Sequence, residues 1–341
     1  MKVTIKDVAK KSGVSIATVS LVLHGNPRIS SETRKRVLKA VEELDYQPSM
    51  LARGLVMRQT GNIGFVLTED HFLRTEPFYT RIFLGTEFGA RDSNHFVLLA
   101  TIPTDFSEND FLPRFITQKN VDGLIIAGKV PDAFLEKVAR YHLPTVFVDF
   151  YPAEGEYSAI LMDNIRGGML ATEHLIQLGH RDIAFLAGDM AHPSIRERYL
   201  GYHSALQQHG ISPNPELEII NEKKTGKESG YHAVCTLLNK GVKFSALFAC
   251  NDAMAIGAME CLKKQGFKIP EQISVVGFDD IESDAFQDPP LTTISVPKYD
   301  MGIEAIKLVR EMIEQNLKKN KKIIVPVELI VRKSTAAFAE S

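Results

Sequence analysis

Cysteine is scarce in this 341-residue sequence: only Cys235, Cys250 and Cys261 are present. An odd number at no metal-like spacing implies neither a disulfide framework nor a zinc site. All three are expected as small buried apolar residues in a reducing compartment. No apolar run reaches the roughly 18 residues of a membrane span, so no membrane partner is expected. The opening MKVTIKDVAKKSG lacks the apolar centre of an export signal, which predicts a cytoplasmic location. Catalytic signatures are missing too. There is no GxGxxG after a strand, no GxxxxGK followed by Ser or Thr, no HExxH and no GxSxG. The ten histidines form no metal-ligand pattern, and no Ser/His/Asp set stands out. The sequence therefore assigns no catalytic residue, no metal and no cofactor, and predicts a protein that is not an enzyme.

Net charge is also small, −2 overall, but it is unevenly spread. Residues 1–60 hold 11 Lys/Arg against 5 Asp/Glu, a balance of +6, and the remainder carries −8. A basic end on a near-neutral chain suits a polyanion partner, although a solvated charged surface would look the same.

Two textures follow one another. Residues 1–47 are short helical patterns with no strand run. From Gly61 onward, apolar strand-like runs alternate with helical stretches. Strands are expected at Ile63–Leu67, Phe96–Thr101, Gly123–Ile126, Thr145–Val148, Ala159–Leu161, Ile183–Leu186, Leu217–Ile220, Ala246–Ala249, Ser274–Phe278, Thr293–Val296 and Ile323–Val325. The intervening helices include Phe78–Asn94, Asn164–Leu178 and Asp300–Gln315. Near-continuous apolar strands alternating with helices predict parallel sheets covered on both faces. Some 280 residues exceed one core, so two such lobes are expected.

In the first 47 residues, Thr4 can cap a helix over Ile5–Lys11 with Ile5, Val8 and Ala9 on one face. Ser12-Gly13-Val14 reads as a tight turn, with Gly13 supplying a positive φ. Ser15 caps a second helix, Ile16–Leu23, with Val19 and Leu23 inward. Ser30 or Ser31 caps a third, Thr33–Leu44, with Val37, Leu38, Val41 and Leu44 inward. Helix, glycine turn, helix and supporting helix form a helix-turn-helix arrangement, whose second helix enters the major groove. Thr18 and Ser20 offer hydroxyls to phosphate oxygens, and Arg28 is among the cations that supply salt-dependent attraction. A small helical bundle for protein contacts is the alternative. Beyond it, Ser49 can cap a helix over Met50–Met57. Eight residues are too few for an isolated helix in water, and Gly54 costs it a further ~1 kcal/mol. This segment is either a plain linker or a hinge poised between coil and helix.

TIKDVAKKSGVSIATVSLVLHGNPRISSETRKRVLKAVEELDYQPSMLARGL resembles the DNA-binding segment of the LacI/GalR family of bacterial transcription regulators. The similarity continues through LGHRDIAFLAG, ERYLGYHSAL, CNDAMAIGAM, ISVVGFDDIESDAF and PPLTTISVPKYDMG, and so spans nearly the whole chain. It implies an α/β protein: an all-α helix-turn-helix head plus two doubly wound parallel-sheet lobes like those of periplasmic binding proteins. The implied divisions are a head at 1–47, a hinge at 48–60, a first lobe of 61–162 with 296–325, and a second lobe of 163–295 with 326–341. The implied function is repression of a pseudo-palindromic double-stranded operator by a homodimer that responds to a small-molecule effector. A protein co-regulator is a further partner to consider. The resemblance places Ile16, Ala17 and Leu21 in the major groove and assigns DNA contact also to Thr4, Ser15, Thr18, Ser20, His24 and Arg28. Leu55 becomes a minor-groove wedge flanked by Leu51, Ala52 and Arg53. The family usually carries Arg where this chain has Leu21, and Asn where it has His24. Leucine cannot make the bidentate bond to guanine, so the operator is expected to differ at that base pair.

Candidate ligand groups read both ways from sequence alone. Asp149 ends a strand, where open α/β sheets form their crevice. Asn251 is an N-cap by default, Asp279 follows a strand, and Arg198 sits in the helical stretch Ser194–Gln208. The resemblance assigns effector contact to Arg198, Asn251 and Asp279, and with less support to Asp149 and Ser194. Phe78 and Tyr79 are placed on the opposite wall. Thr225 stands where family members with ring-shaped ligands often carry a stacking aromatic. Two other classes share an α/β core: a cytoplasmic solute-binding or sensor module, and a sugar-metabolising α/β enzyme. The basic head argues against the first and the missing phosphate loops against the second.

Overall fold

The computed structural model describes residues 3–23, 26–46, 59–72, 78–315 and 320–339. It divides into two units, Met1–Gly61 and Asn62–Ser341.

The first unit contains α1 (Ile5–Ser12), α2 (Ile16–Leu23) and α3 (Ser31–Glu43). Each start is fixed locally. The Asp7 carboxylate accepts from the Thr4 backbone N–H at 2.9 Å and from its hydroxyl at 2.7 Å, and these bonds hold it below the usual carboxylate range. Ser15 Oγ accepts from Thr18 N–H at 3.1 Å, and Ser30 Oγ accepts from Thr33 N–H at 3.3 Å. Gly13 closes α1 at φ 69°, a left-handed conformation that a side chain would strain. The core is Val8, Ala9, Val19, Val22, Val37, Ala40 and Tyr46.

One inward assignment changes. On α2, Val22 joins Val19 in the core and Leu23 packs against it half-buried, as expected. On α3, Leu38 is 48% exposed, because small Ala40 lets the helices approach along the Val37/Ala40 face instead.

In the second unit the strands are β1 (Asn62–Thr68), β2 (Phe96–Ile102), β3 (Gly123–Ala127), β4 (Thr145–Val148), β5 (Ser158–Met162) and β6 (Ile183–Leu186), then β7 (Glu218–Ile219), β8 (Ala246–Ala249), β9 (Ser274–Asp279), β10 (Thr292–Ser295), β11 (Lys322–Val325) and β12 (Glu328–Ile330). The helices are α4 (Glu69–Phe72), α5 (Phe78–Arg91), α6 (Arg114–Thr117), α7 (Asp132–Ala139), α8 (Asn164–Gln177), α9 (Pro193–Gln208), α10 (Lys227–Asn239), α11 (Asp252–Lys264) and α12 (Lys298–Gln315). Two six-stranded sheets result, ordered β11-β5-β4-β3-β1-β2 and β12-β10-β9-β8-β6-β7. The chain passes from the first sheet to the second after β5, returns after β10, and crosses again after β11. The first sheet is covered on both faces, with Phe106, Ile116 and Phe134 packed on one side and Ile82, Ala305 and Val309 on the other.

Among the described residues the pairing is parallel except at one edge. β12 runs antiparallel to β10, with Thr293 opposite Ile330. Only Pro326 and Val327 separate β11 from β12, so no crossover helix restores the direction. The run at Leu217–Ile220 also departs from expectation. Asn214 caps a turn of 3-10 helix over Pro215–Leu217, which leaves a two-residue edge strand. Of the cysteines, Cys250 and Cys261 are buried as expected, but Cys235 is partly exposed.

Candidate functional site

The carboxyl ends of the strands meet across a cleft of about 610 Å³. One wall brings Thr68 from β1, Lys129 following β3, Asp149 following β4, and Phe78 and Tyr79 opening α5. The other brings Asp189 following β6, Ser194 and Arg198 from α9, Thr225 before α10, Asn251 before α11 and Asp279 ending β9. All eight residues singled out from sequence as effector contacts line this one cleft.

Asp149 is the hub of the first wall. Its backbone takes φ 57°, a left-handed conformation that Asp tolerates better than most residues. Tyr79 Oη donates to its Oδ2 at 2.8 Å, and Ser194 Oγ donates from across the cleft to its Oδ1 at 2.7 Å. His71 stacks on Tyr79 with ring centres 4.5 Å apart.

Arg198 anchors the second wall and is 4% exposed. Its Nε donates to Asn164 Oδ1 at 2.9 Å and its Nη1 to the Cys250 carbonyl at 2.6 Å. The guanidinium lies 3.6 Å from the Phe278 ring centre and 3.4 Å from Asp279 Oδ1. These partners fix the guanidinium plane before any ligand arrives. Asn251 is fixed likewise, accepting from Met254 N–H at 2.9 Å and donating to the Thr225 carbonyl at 2.9 Å. It is thus both an N-cap and a cleft residue.

Asp279 is the electrostatically unusual group. Its backbone has φ 117°, and Lys298 Nζ donates to its carbonyl. Burial pushes its carboxyl up to about 7 against the pull of Arg198, with Asp252 adding repulsion. Behind it, Asp252 is fully buried, accepting from Thr293 Oγ1 at 2.5 Å and Ile281 N–H at 3.2 Å. Burial, then the Asp252 charge, pushes Asp284 up to about 10, so Asp284 carries a proton at neutral pH.

Sequence reasoning missed several lining groups. Lys129 Nζ meets Asp189 Oδ2 at 2.6 Å across the cleft, and although burial opposes it, Lys129 holds Asp189 below the usual range. His192 lines the same wall, and burial holds its imidazole below its ordinary value. Thr68, Lys129 and Asp189 all sit at strand carboxyl ends. The crevice rule that singles out Asp149 would have found them as well.

On the head, Ile16, Ala17 and Leu21 are exposed on one side of α2, with Ser20 half-buried beside them. Val19 and Val22 are buried on the opposite side. Thr4 caps α1. Ser15 caps α2, its Oγ 2.9 Å from the Thr18 hydroxyl, and Arg28 is exposed after α2. His24, Leu51, Ala52, Arg53 and Leu55 lie outside the described residues.

A glycine-turned three-helix head followed by a two-lobed core with a polar cleft defines a class, the helix-turn-helix transcription regulators with a periplasmic-binding-protein-like core. Comparison with known proteins narrows it. Residues 4–49 match the family model described as bacterial regulatory proteins, lacI family, and residues 172–335 match a periplasmic binding protein-like domain. The chain is 33% identical to the HTH-type transcriptional repressor PurR of Pasteurella multocida, covering 97% of this chain and 98% of that one. It is 33% identical to the HTH-type transcriptional regulator RegA of Clostridium saccharobutylicum, covering 98% and 100%. Among solved structures, the lac repressor dimer bound to operator and the anti-inducer ONPF superposes with a TM-score of 0.78 at 29% identity, covering 99% and 100%. The CelR–cellobiose complex superposes with a TM-score of 0.75 at 29% identity, covering 97% and 99%. The chain belongs to the lacI family of bacterial regulatory proteins.

Proposed function

We propose that the protein is a cytoplasmic repressor that binds a pseudo-palindromic operator as a homodimer and adjusts its grip to a small hydroxyl-rich metabolite held in the cleft. Residues 1–47 act as the reading head, 48–60 as the hinge, and 61–162 with 296–325 and 163–295 with 326–341 as the two lobes. Its role is regulatory rather than catalytic. The observation that carries this reading is the convergence of Asp149, Ser194, Arg198, Asn251 and Asp279 on one cleft between two lobes. Carboxylates accept from ligand hydroxyls while Arg198 and Lys129 donate, a set that suits a sugar-like molecule better than an apolar one. The relatives whose structures hold cellobiose or ribose favour the same ligand class. Thr225 offers no stacking face, which favours a ligand held by hydrogen bonds. Ligand that bridges both lobes would stabilise one lobe arrangement and so bias the heads. Exposed Phe88 and Phe96, at 46% and 60%, supply apolar surface on the first lobe for a second copy.

Operator selection from a palindromic library, followed by a thermal-shift screen of mono- and disaccharides, tests the reading. The expected result is one enriched inverted repeat and at least one sugar that raises the melting temperature with concentration. Failure to enrich any repeat at low ionic strength would refute the DNA half, and a core silent to every polyol would refute the ligand half.

A further inference from the structure

We propose that Cys235 and Cys261 form a redox site, a thiol pair that closes to an intramolecular disulfide when a hydroperoxide reaches it. Cys235 lies on α10 and Cys261 on α11, yet their sulfurs are 2.8 Å apart. The approach is imposed by the backbone. A Cβ at Gly230 would strike the Met254 carbonyl and one at Gly257 the Lys227 carbonyl, so the two helices touch main chain to main chain. Reaching the 2.03–2.05 Å of a disulfide asks the sulfurs to close by only about 0.8 Å.

The two thiols are unlike. Cys235 is partly exposed and Cys261 is fully buried. Burial, then Cys235 itself, pushes the Cys261 thiol up to about 12. Cys235 is therefore the sulfur that meets the oxidant. Lys264, three residues after Cys261 on α11, has its Nζ 5.0 Å from the Tyr231 ring centre and is paired with Glu260 at 2.9 Å. In the first step Cys235 sulfur attacks the hydroperoxide, the O–O bond breaks, and the alcohol leaves with the thiol proton. Cys235 is then a sulfenic acid. In the second step Cys261 sulfur attacks Cys235 sulfur, the S–O bond breaks, and hydroxide leaves as water with the Cys261 proton. Two thiols are oxidised and one hydroperoxide is reduced to alcohol and water. In a reducing compartment such a bond is transient and signals oxidant.

The staple joins the two helices whose leading ends carry Thr225 and Asn251, themselves bonded at 2.9 Å on the cleft wall. Closing it fixes that wall. The test treats the full-length protein with hydrogen peroxide, alkylates the remaining thiols, and maps peptides by mass spectrometry. The expected result is a 235–261 cross-link within one chain, with Cys250 alkylated as an internal control. Amide exchange in α10 and α11 should slow, and dithiothreitol should reverse both effects. C261S should stop at a sulfenic acid on Cys235, trapped by dimedone, and C235S should yield neither product. Three alkylatable thiols after exposure that oxidises a model dithiol would overturn the proposal, as would a cross-link only between chains. Unchanged exchange in the cross-linked protein would overturn the fixing of the wall.

Discussion

Replacing Arg198 by Met tests the wiring of the cleft. Methionine keeps an apolar stem but removes every donor and the guanidinium that lies over Phe278. The Asn164 side-chain oxygen and the Cys250 carbonyl lose bonds of 2.9 and 2.6 Å in a buried setting. Each orphaned acceptor costs about 1–3 kcal/mol, so the two together should cost the core roughly 2–6 kcal/mol. Removing one member of a buried ion pair usually adds several kcal/mol more, because the other charge is stranded. Here Asp279 can take up a proton instead, since its carboxyl already sits at about 7. Below that pH it is neutral in both proteins, and the loss should be flat. Above it the parent ionises Asp279 against Arg198 while the variant must keep the proton, so the deficit should grow by up to about 1.4 kcal/mol per pH unit. Urea unfolding of the core at pH 6, 7 and 8.5 measures this. A loss under 1 kcal/mol, or one that is the same at pH 6 and 8.5, would refute the reasoning. Measured in a D279N background, the loss caused by R198M should be the same at all three pH values.

Other perturbations have equally definite outcomes. Asp284 titrates at about 10 in the folded state because of burial and then Asp252, so it penalises folding as pH climbs from the ordinary carboxylate range toward that value. D284N should therefore flatten the fall in melting temperature between pH 7 and 9, and an unchanged slope would count against a protonated Asp284. K129M breaks an ion pair between half-exposed side chains and should alter core stability by less than about 1 kcal/mol in denaturant titration. A larger loss would count against an exposed, weakly coupled Lys129–Asp189 pair. L21R should create guanine preference at one base pair of each half-site, worth about 1–3 kcal/mol in binding-site selection. Unaltered preference would remove Leu21 from the groove-facing set.

Local signals were the most legible in the sequence. Ser15, Ser30 and Gly13 mark helix ends through bonds within four residues, and the strands from Thr145 and Ile183 are unbroken apolar runs between turns. Leu38 was misplaced because helical spacing gives a face but not which neighbour lies closest, and the small Ala40 decided that. The direction of β12 was hidden because it depends on which sheet the chain has just left. Arg198 and Asp279 could be named from the resemblance. Their dense protein partnership, and the displaced titration of Asp279, arise only when Asp252, Asn164 and Phe278 are folded around them. The Lys129–Asp189 pair and the Cys235–Cys261 pair join residues 60 and 26 positions apart, and no periodicity reports such meetings.

Fluorescence anisotropy of a labelled copy of the selected inverted repeat, titrated with full-length protein with and without the sugar found in the thermal screen, bears most directly on the central claim. The account predicts two chains per duplex, a shift in apparent Kd of at least tenfold when the sugar saturates the cleft, and loss of that shift in D279N with basal binding kept. Six to ten phosphate contacts would also cost about 10³–10⁵ in affinity between 50 and 200 mM salt. One chain per duplex, or titration curves that coincide with and without the sugar, would contradict it.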